Sequence, residues 1–132
     1  MKVLSLKQPF AALVKDKIKC IETRSWKTNY RGEIYIHASK RIFIHNTARD
    51  ERLIEYLKDK ELKYGAIIAK GKLVDCIYMD QKFLSEIEKN AVEKDCGRYE
   101  IGRYAWILDD IEELNDFIYT NGQLGIWNYN SD

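Results

Sequence analysis

A regular alternation of apolar and polar residues between positions 33 and 38 is the feature of this sequence that most constrains the fold. Ile34, Ile36 and Ala38 fall on one side of this segment, and His37 falls on the less apolar side. A period of two residues is typical of a β-strand with one buried face. The pattern therefore predicts a half-buried strand. It also favours a surface or hydrogen-bonded structural role for His37 over a catalytic one.

Further strand signals lie on both sides of this segment, at residues 1–8, 18–26, 66–76, 104–108 and 121–127. The long run at 66–76 contains Gly71, and a glycine inside a strand often marks a bulge or a barrel corner. The run at 104–108 leads into an acidic stretch at 109–113, which we expect to be a loop.

Helical patterns occupy three of the intervening segments. Apolar residues recur at helical spacing in residues 9–17, where Pro9 suits the first helical position, and again in residues 47–63. A third helix is expected at residues 80–94, with Asp80 as its N-cap.

The arrangement of these segments predicts the fold class. The helices are inserted between short strands and do not alternate with them as βαβ units, which favours a strongly bent sheet or barrel. The predicted class is α+β, a small β-barrel of five or six strands with two or three inserted helices. A chain of 132 residues suits one domain, so residues 1–132 are expected to fold as a single unit.

Several function classes are excluded by composition. Cys20, Cys76 and Cys96 are odd in number and widely spaced, which argues against a disulfide framework, and we expect them to be reduced and mostly buried. His37 and His45 are the only histidines and have no third ligand at a suitable spacing. We therefore expect neither a metal nor a cofactor.

Membrane insertion and secretion are not indicated either. No window approaches the roughly 20 apolar residues of a membrane span. The apolar run at the N-terminus is interrupted by Lys7 and Pro9, which is unlike a signal peptide. A cytoplasmic location is therefore expected.

The charges are unevenly distributed along the chain although the formal net charge is only +1. Residues 1–41 hold ten lysines and arginines against three acidic residues, whereas the remainder holds twelve against eighteen. Such asymmetry can create one basic face on a nearly neutral protein, as expected of a protein that contacts phosphates.

The stretch at residues 18–26 concentrates charge and an aromatic ring. A strand there places Glu22, Arg24 and Trp26 on one face, with Lys19 just before them. Opposite charges beside an indole can form a polar site with a stacking platform. The alternative is a solvated strand whose Glu22 and Arg24 only pair with each other, since exposed pairs contribute little.

Three segments of the sequence, in this order and spacing, resemble the ASCH domain family, named for its homology to activating signal cointegrator proteins. They read LKQPFA at residues 6–11, KCIETRSW at 19–26 and RGEIYIHA at 31–38, and weaker likenesses follow at 71–76, 104–108 and 122–127. The resemblance covers nearly the whole chain. It implies a PUA-like β-barrel with a cleft lined by residues 19–26, a fold whose relatives bind RNA and in some cases a modified base.

The resemblance is closer to coactivator-type members than to a small bacterial branch that hydrolyses N4-acetylcytidine. That branch is implied to use a lysine, a threonine three residues later and a glutamate. Here Lys19 and Arg24 keep the expected places, but Glu22 stands where the threonine would be. Thr23 and Ser25 are each one residue out of register, which in a strand means the opposite face.

The first functional hypothesis is a domain that binds RNA, another single-stranded nucleic acid, or a nucleotide-like small molecule. Trp26 or Tyr30 would stack on a base, since every base offers a π-face. Cations would contact the phosphates, namely Lys7, Arg24, Lys27, Arg31, Lys40 and Arg41. The expected setting is RNA metabolism or transcription-related regulation.

Two alternatives stay open at this point. The chain could be a metal-independent hydrolase acting on RNA or on a modified nucleoside such as N4-acetylcytidine, with Lys19, Glu22 and Asp75 as acid and base groups. Asp75 would face the cleft from a later strand. The chain could also be a protein-interaction module, and the sequence does not indicate an oligomeric state.

Overall fold

The computed structural model describes residues 1–130 and contains six strands and four helices within them. In chain order these are β1 (Lys2–Leu6), α1 (Phe10–Lys15), β2 (Ile21–Arg24), β3 (Gly32–Ala38), α2 (Ala48–Tyr56), β4 (Ala66–Tyr78), α3 (Gln81–Ile87), α4 (Ala91–Asp95), β5 (Tyr104–Tyr119) and β6 (Ile126–Asn128). Residues 131 and 132 of the predicted domain lie outside the described residues.

All six strands join one curled, half-barrel sheet in the order β2-β5-β4-β3-β1-β6. The β1–β3 pair is parallel, and the other four pairs are antiparallel. The predicted α+β class with a PUA-like, barrel-type sheet is confirmed. The strand predicted at residues 33–38 is β3, whose Ile34, Ile36 and Ala38 are completely buried in the main core.

The bulge expected at Gly71 is present. The register of β4 against β5 shifts between Lys70 and Lys72. A Cβ on Gly71 would lie 2.4 Å from Cδ1 of Ile111 and 2.8 Å from the backbone oxygen of Asp109. Glycine is therefore needed here because β5 approaches the backbone too closely for any side chain.

The prediction of an acidic loop at residues 109–113 was wrong, because β5 continues without a break to Tyr119. The strand accommodates the acidic residues through a local irregularity of its backbone, where Asp110 has a φ of 51°. The acidic residues are tolerated because all four are exposed, in two pairs on either side of Ile111, which is buried with 7% exposure. The glycine-containing segment near the C-terminus also differs from expectation, since only Ile126–Asn128 forms a strand and residues 121–125 form a loop.

Two helix boundaries differ from the prediction for local reasons. α2 ends at Tyr56 because Leu57 is extended, and the side chain of Asp16 then accepts hydrogen bonds from the backbone nitrogens of Lys58 and Asp59. The helix expected at residues 80–94 is divided into α3 and α4, because the side chain of Asn90 caps a new helix start. A competing cap thus outweighs the continuous helical pattern.

The cysteines are free, but Cys20 is exposed, contrary to the expectation that most were buried. In the described part of the chain, every helix is too short or too polar to cross a membrane.

Candidate functional site

A cleft of about 900 Å³ lies where the C-terminal ends of β1, β2 and β3 meet the loops at residues 96–98 and 121–125. Its wall is rich in cations. Four of them were predicted ligand contacts, namely Lys7, Arg24, Lys40 and Arg41, and three more are Arg49, Arg98 and Arg103. Glu22 is the one carboxylate in the described lining. The cleft therefore carries a large excess of positive charge although the protein is almost neutral.

The predicted site strand holds a linked set of charges at the edge of this cleft. Lys19 is 1% exposed, and its Nζ donates to the backbone oxygens of Ile21 at 2.5 Å and Cys96 at 2.7 Å. The same nitrogen lies 3.5 Å from Oε1 of Glu22. Oε2 of Glu22 accepts from Nε of Arg24 at 3.0 Å and lies 2.8 Å from its Nη2. Glu22 therefore stands between a buried ammonium and a guanidinium that faces the cleft.

Aromatic rings and the backbone fix the position of Arg24. Its Nη2 donates to the backbone oxygen of Ser5 at 3.1 Å, and its Cζ lies 5.4 Å from the ring centroid of Trp26 and 5.7 Å from that of Trp106. The two indoles meet edge to face at 5.9 Å, and Nε1 of Trp106 donates to the backbone oxygen of Trp26. Packing on both rings adds cation–π attraction and restricts the guanidinium to one place.

Trp26 itself lies outside the cleft lining but beside Arg24. It is 47% exposed, so one side of the indole is open to solvent. Trp106, its perpendicular neighbour, is buried with 1% exposure. The residue expected to act as a stacking platform is therefore accessible.

Arg103 is a second guanidinium that the backbone holds in place. Its Nε donates to the backbone oxygen of Arg98 at 3.1 Å and its Nη2 to that of Thr23 at 3.3 Å. Within the described residues, Arg103 has no carboxylate within ion-pair distance, and neither do Lys7 and Arg41. These cations are therefore available to an anionic ligand.

Phe10 lines the cleft directly with its aromatic ring. The Nζ of Lys19 lies 5.6 Å from the ring centroid, and the Cζ of Arg49 lies 5.7 Å from it. Phe10 belongs to the family-like segment at residues 6–11 but was not among the predicted site residues.

The structure does not bring every predicted site residue to the cleft. Lys27, Tyr30 and Arg31 lie outside its lining. The hydroxyl of Tyr30 donates to the backbone oxygen of Glu33, and Nη2 of Arg31 lies 3.8 Å from Oδ1 of Asp75. These residues form a neighbouring surface and are not part of the cleft wall.

The expectation that Asp75 faces the cleft was wrong, and the sheet register gives the reason. Residues directly opposite each other in adjacent strands point to the same face. Glu22 is opposite Trp106, which is opposite Cys76, whereas Asp75 is opposite Ile107. Asp75 therefore projects from the other face of the sheet.

His37 is completely buried, because Ser5, Trp127 and the loop after β5 cover the face that looked less apolar in the sequence. Its Nδ1 lies 3.0 Å from Oγ of Ser5, and its Nε2 lies 2.8 Å from the backbone oxygen of Thr120. Burial lowers the pKa of His37, and the positive charge of Lys40 acts in the same direction, against the hydrogen bond to Thr120. His37 is therefore hydrogen-bonded, but it does not lie at the surface.

A buried carboxylate also lies behind β2. Glu93 is 4% exposed, and it accepts hydrogen bonds from the backbone nitrogens of Cys20 and Ile21 at 3.0 and 3.1 Å. Burial raises the pKa of Glu93, although these hydrogen bonds and Lys19 oppose the rise. Burial also raises the pKa of the Cys96 thiol to about 11, so this cleft residue is a poor nucleophile.

Among the described residues, no three His, Cys, Asp or Glu side chains come together in a way that could hold a metal ion.

Several cleft residues were missed at the level of sequence. Arg49 lies on α2, and Arg98 and Arg103 lie in the turn before β5. The charge count had pointed only to residues 1–41. Arg98 and Arg103 fall between the helix predicted at residues 80–94 and the strand predicted at 104–108. This position was a usable signal, because a segment that leads into a strand paired with the site strand must lie near it.

Comparison with known proteins agrees with this geometry. A family model described as the ASCH domain matches residues 4–118. Activating signal cointegrator 1 from Mus musculus is 31% identical over 85 residues, a match that covers 59% of this chain and 15% of the relative. The chain therefore corresponds to a small part of that longer protein.

Proposed function

Because the chain belongs to the ASCH domain family, with its PUA-like fold, we propose that the cationic cleft binds single-stranded nucleic acid, with RNA as the natural ligand. The observation that carries the proposal is the composition of the cleft wall, where seven lysines and arginines surround one carboxylate. Phosphate contacts by such cations supply most of the sequence-independent affinity of nucleic-acid-binding proteins.

Cleft size favours a single strand over a duplex. About 900 Å³ is near the upper end of pockets that hold individual small ligands. A double helix, whose major groove alone is about 12 Å wide, cannot enter such a space. A single strand can insert one or a few nucleotides, with its bases free to contact Phe10 or to stack outside the cleft.

Arg24 and Arg103 would contact phosphates first. Both guanidiniums are held by backbone oxygens, and Arg24 is further fixed by Glu22 and two indoles. Arginine offers a planar fork that matches a phosphate. Lys7, Lys40 and Arg41 would add contacts from the segments that follow β1 and β3.

The neighbouring surface extends the proposed site. Trp26 would stack on a base that leaves the cleft past Arg24, and Lys27, Tyr30 and Arg31 would contact the strand beyond it. The likeness to a signal cointegrator supports a role for this binding in transcription-related regulation or RNA metabolism. We propose a cytoplasmic location and a single domain spanning residues 1–132.

The hydrolase alternative receives less support from the geometry. An ammonium has three donors, and Lys19 directs them at two backbone oxygens and Glu22. Lys19 is absent from the cleft lining, and Asp75 is on the other face of the sheet. A reaction that uses Lys19, Glu22 and Asp75 together would require these groups to move.

The proposal is tested by measuring fluorescence anisotropy of a labelled, unstructured single-stranded RNA over a range of salt concentrations. The variants are Lys7→Ala, Arg41→Ala and Arg103→Ala, alone and combined. Each lost phosphate contact should reduce the slope of log affinity against log salt by about 0.7. Lys89→Ala is the matched control, because Lys89 is an exposed cation outside the cleft lining.

A second pair of variants separates the cleft from the neighbouring surface. Lys27→Ala and Arg31→Ala should weaken binding less than the cleft variants do. If the triple cleft variant binds RNA as tightly as the unchanged protein at low salt, the cleft is not the binding site. If the duplex form of the same sequence competes equally well, the single-strand assignment is wrong.

A further inference from the structure

We propose that Ser5 and His37 form a nucleophile and general-base pair that hydrolyses a carboxylic ester carried by an anionic molecule in the cleft. The anionic nature of the substrate rests on the proposed function, whereas the reactivity of Ser5 does not. This pair is separate from Lys19, Glu22 and Asp75, which the sequence had singled out for hydrolysis.

The sheet itself brings the two side chains together. Ser5 on β1 and His37 on β3 are direct partners in the parallel pair of strands. Their side chains therefore project from the same face, and Oγ of Ser5 lies 3.0 Å from Nδ1 of His37. That distance is within the 2.6–3.2 Å range required for a nucleophile and its base. Both residues lie in hydrogen-bonded strands of the sheet, although the register of β3 against β4 shifts between Ile36 and His37.

Hydrogen bonding at the other ring nitrogen determines where the histidine carries its proton. Nε2 of His37 lies 2.8 Å from the backbone oxygen of Thr120. A carbonyl oxygen can only accept, so Nε2 carries the hydrogen and Nδ1 of the neutral ring presents a lone pair to Ser5. Thr120 thus orients the base, as the third group does in a catalytic triad.

A donor to the serine oxygen strengthens this assignment. Nε1 of Trp127 donates to Oγ of Ser5 at 3.0 Å. The indole can only donate, so the serine hydroxyl must direct its own hydrogen elsewhere, and Nδ1 of His37 is the acceptor within reach. The same N–H would stabilise negative charge that develops on Oγ as the proton leaves.

Burial keeps the histidine in the form that a base requires. His37 has no exposed surface, and this burial lowers its pKa, so the ring is neutral at neutral pH. Ser5 is only partly buried and lines the cleft. The nucleophile is therefore at the cleft surface and its base is sheltered behind it.

Two further features of the surroundings fit a reaction site. A Cβ on Gly122 would lie 2.7 Å from Oγ of Ser5 and 2.7 Å from Cε1 of His37, so any larger residue would press on the pair. Nη2 of Arg24 donates to the backbone oxygen of Ser5, which places a cation beside the nucleophile. The guanidinium lines the same cleft, so it can attract the anionic part of the substrate.

The chemistry follows directly from this arrangement. Oγ of Ser5 bonds to the ester carbonyl carbon while Nδ1 of His37 takes the hydroxyl proton. The carbon–oxygen bond to the alcohol then breaks, and His37 gives the proton to the departing oxygen. Water attacks the acyl-serine with His37 again accepting a proton, which it returns to Oγ as the carboxylic acid is released. No metal or redox partner takes part in these steps.

The test uses the complete chain and a fluorophosphonate probe, which reacts with activated serines. Mass spectrometry of the labelled protein should locate the probe on Ser5. Ser85→Ala is a matched control, because Ser85 is an exposed serine on α3 and lies outside the cleft lining. Labelling should be unchanged in Ser85→Ala and absent in Ser5→Ala.

His37→Asn tests the base, because asparagine keeps an acceptor near the position of Nδ1 but is not basic. It should slow labelling about 100-fold or more, in line with the contribution of a general base. Thermal unfolding of each variant shows whether it remains folded. Locating the probe in the unchanged protein tests the role of Ser5 without any substitution. p-Nitrophenyl acetate should be hydrolysed by the unchanged protein and not by Ser5→Ala.

The outcomes distinguish this proposal from the proposed function. Absence of a Ser5 adduct in the unchanged protein, or a folded His37→Asn variant that labels at the original rate, would overturn the nucleophile assignment while leaving RNA binding intact. A reactive Ser5 in a protein that fails to bind RNA would support the nucleophile and base pair, and it would contradict the assignment of an anionic substrate.

Discussion

Oε1 of Glu22 lies 3.5 Å from Nζ of Lys19, an ammonium that is only 1% exposed. The Glu22→Ala variant would leave that buried charge without its counter-ion. Removing one partner of a buried pair costs about 3–5 kcal/mol, so Glu22→Ala should lower the free energy of unfolding by an amount in this range. Urea denaturation measures it. Glu22→Gln keeps hydrogen-bonding capacity and should lower the free energy of unfolding by less. Equal decreases in the two variants would show that the negative charge of Glu22 does not provide the stabilisation.

Gly71→Ala should destabilise the protein although it adds only one methyl group. Its Cβ would lie 2.4 Å from Ile111 and 2.8 Å from a backbone oxygen, which forces β4 and β5 apart. Overpacking of this kind costs about 1–3 kcal/mol. Gly125→Ala is the comparison, because no atom lies within 4 Å of its Cβ, and its φ of 65° adds only backbone strain. A smaller thermal shift for Gly71→Ala than for Gly125→Ala would contradict this account.

The strands were the most predictable part of the fold, for a physical reason. The alternation at residues 33–38 follows from which face of the strand is buried. The glycine at position 71 follows from how closely the neighbouring strand approaches. Both are local constraints that leave a mark in the sequence. The division between α3 and α4 was missed because the helical pattern continues across Asn90, although asparagine is favoured at helix N-caps. The full length of β5 was hidden because its acidic residues needed exposed positions that only the completed sheet provides.

The candidate site was predicted in part. Lys7, Arg24, Lys40 and Arg41 reach the cleft because they sit at the ends of strands that converge there. Asp75 could not be placed, since irregular register between β4 and β5 decides which face it occupies. Ser5 and His37 are 32 positions apart, and only the parallel pairing of β1 with β3 makes them neighbours.

Trp26→Ala should weaken binding of single-stranded RNA without unfolding the protein. The indole is 47% exposed, so about half of its surface is available to a ligand. Loss of one stacking platform costs about 1–3 kcal/mol per base, equivalent to a fivefold to 150-fold rise in Kd. Anisotropy titration provides the measurement, with circular dichroism to confirm folding.

Trp26→Phe is the informative companion variant. Phenylalanine keeps an aromatic face, so binding should largely be retained. If Trp26→Ala binds as the unchanged protein does, stacking outside the cleft does not contribute to affinity.

The acid stability of the protein should depend on Asp95. Its carboxylate accepts two hydrogen bonds from Arg52, at 2.8 and 3.0 Å, and one from the hydroxyl of Tyr56. The hydrogen bonds from Arg52 are the main cause that lowers the pKa of Asp95 to about 2. A depressed pKa means that folding favours the ionised form, so the stabilisation is complete above the ordinary carboxyl range and declines as pH falls from about 4 to 2.

Comparing Asp95→Asn with the unchanged protein isolates this contribution. The difference in unfolding free energy, measured by urea denaturation at each pH, should be largest at neutral pH and should narrow as the pH approaches 2. A difference that stays constant across this interval would mean that the ionisation of Asp95 is not linked to folding.

Glu93 has a consequence for how copies of this domain behave together. β2 is the terminal strand of the sheet, and an open sheet edge ordinarily invites another chain to pair with it. The carboxylate of Glu93 already occupies the backbone N–H groups of Cys20 and Ile21 at the start of that strand. An incoming strand would have to displace it and leave a buried anion without donors. The strand that carries the ligand-facing arginine is thereby protected from edge-to-edge aggregation.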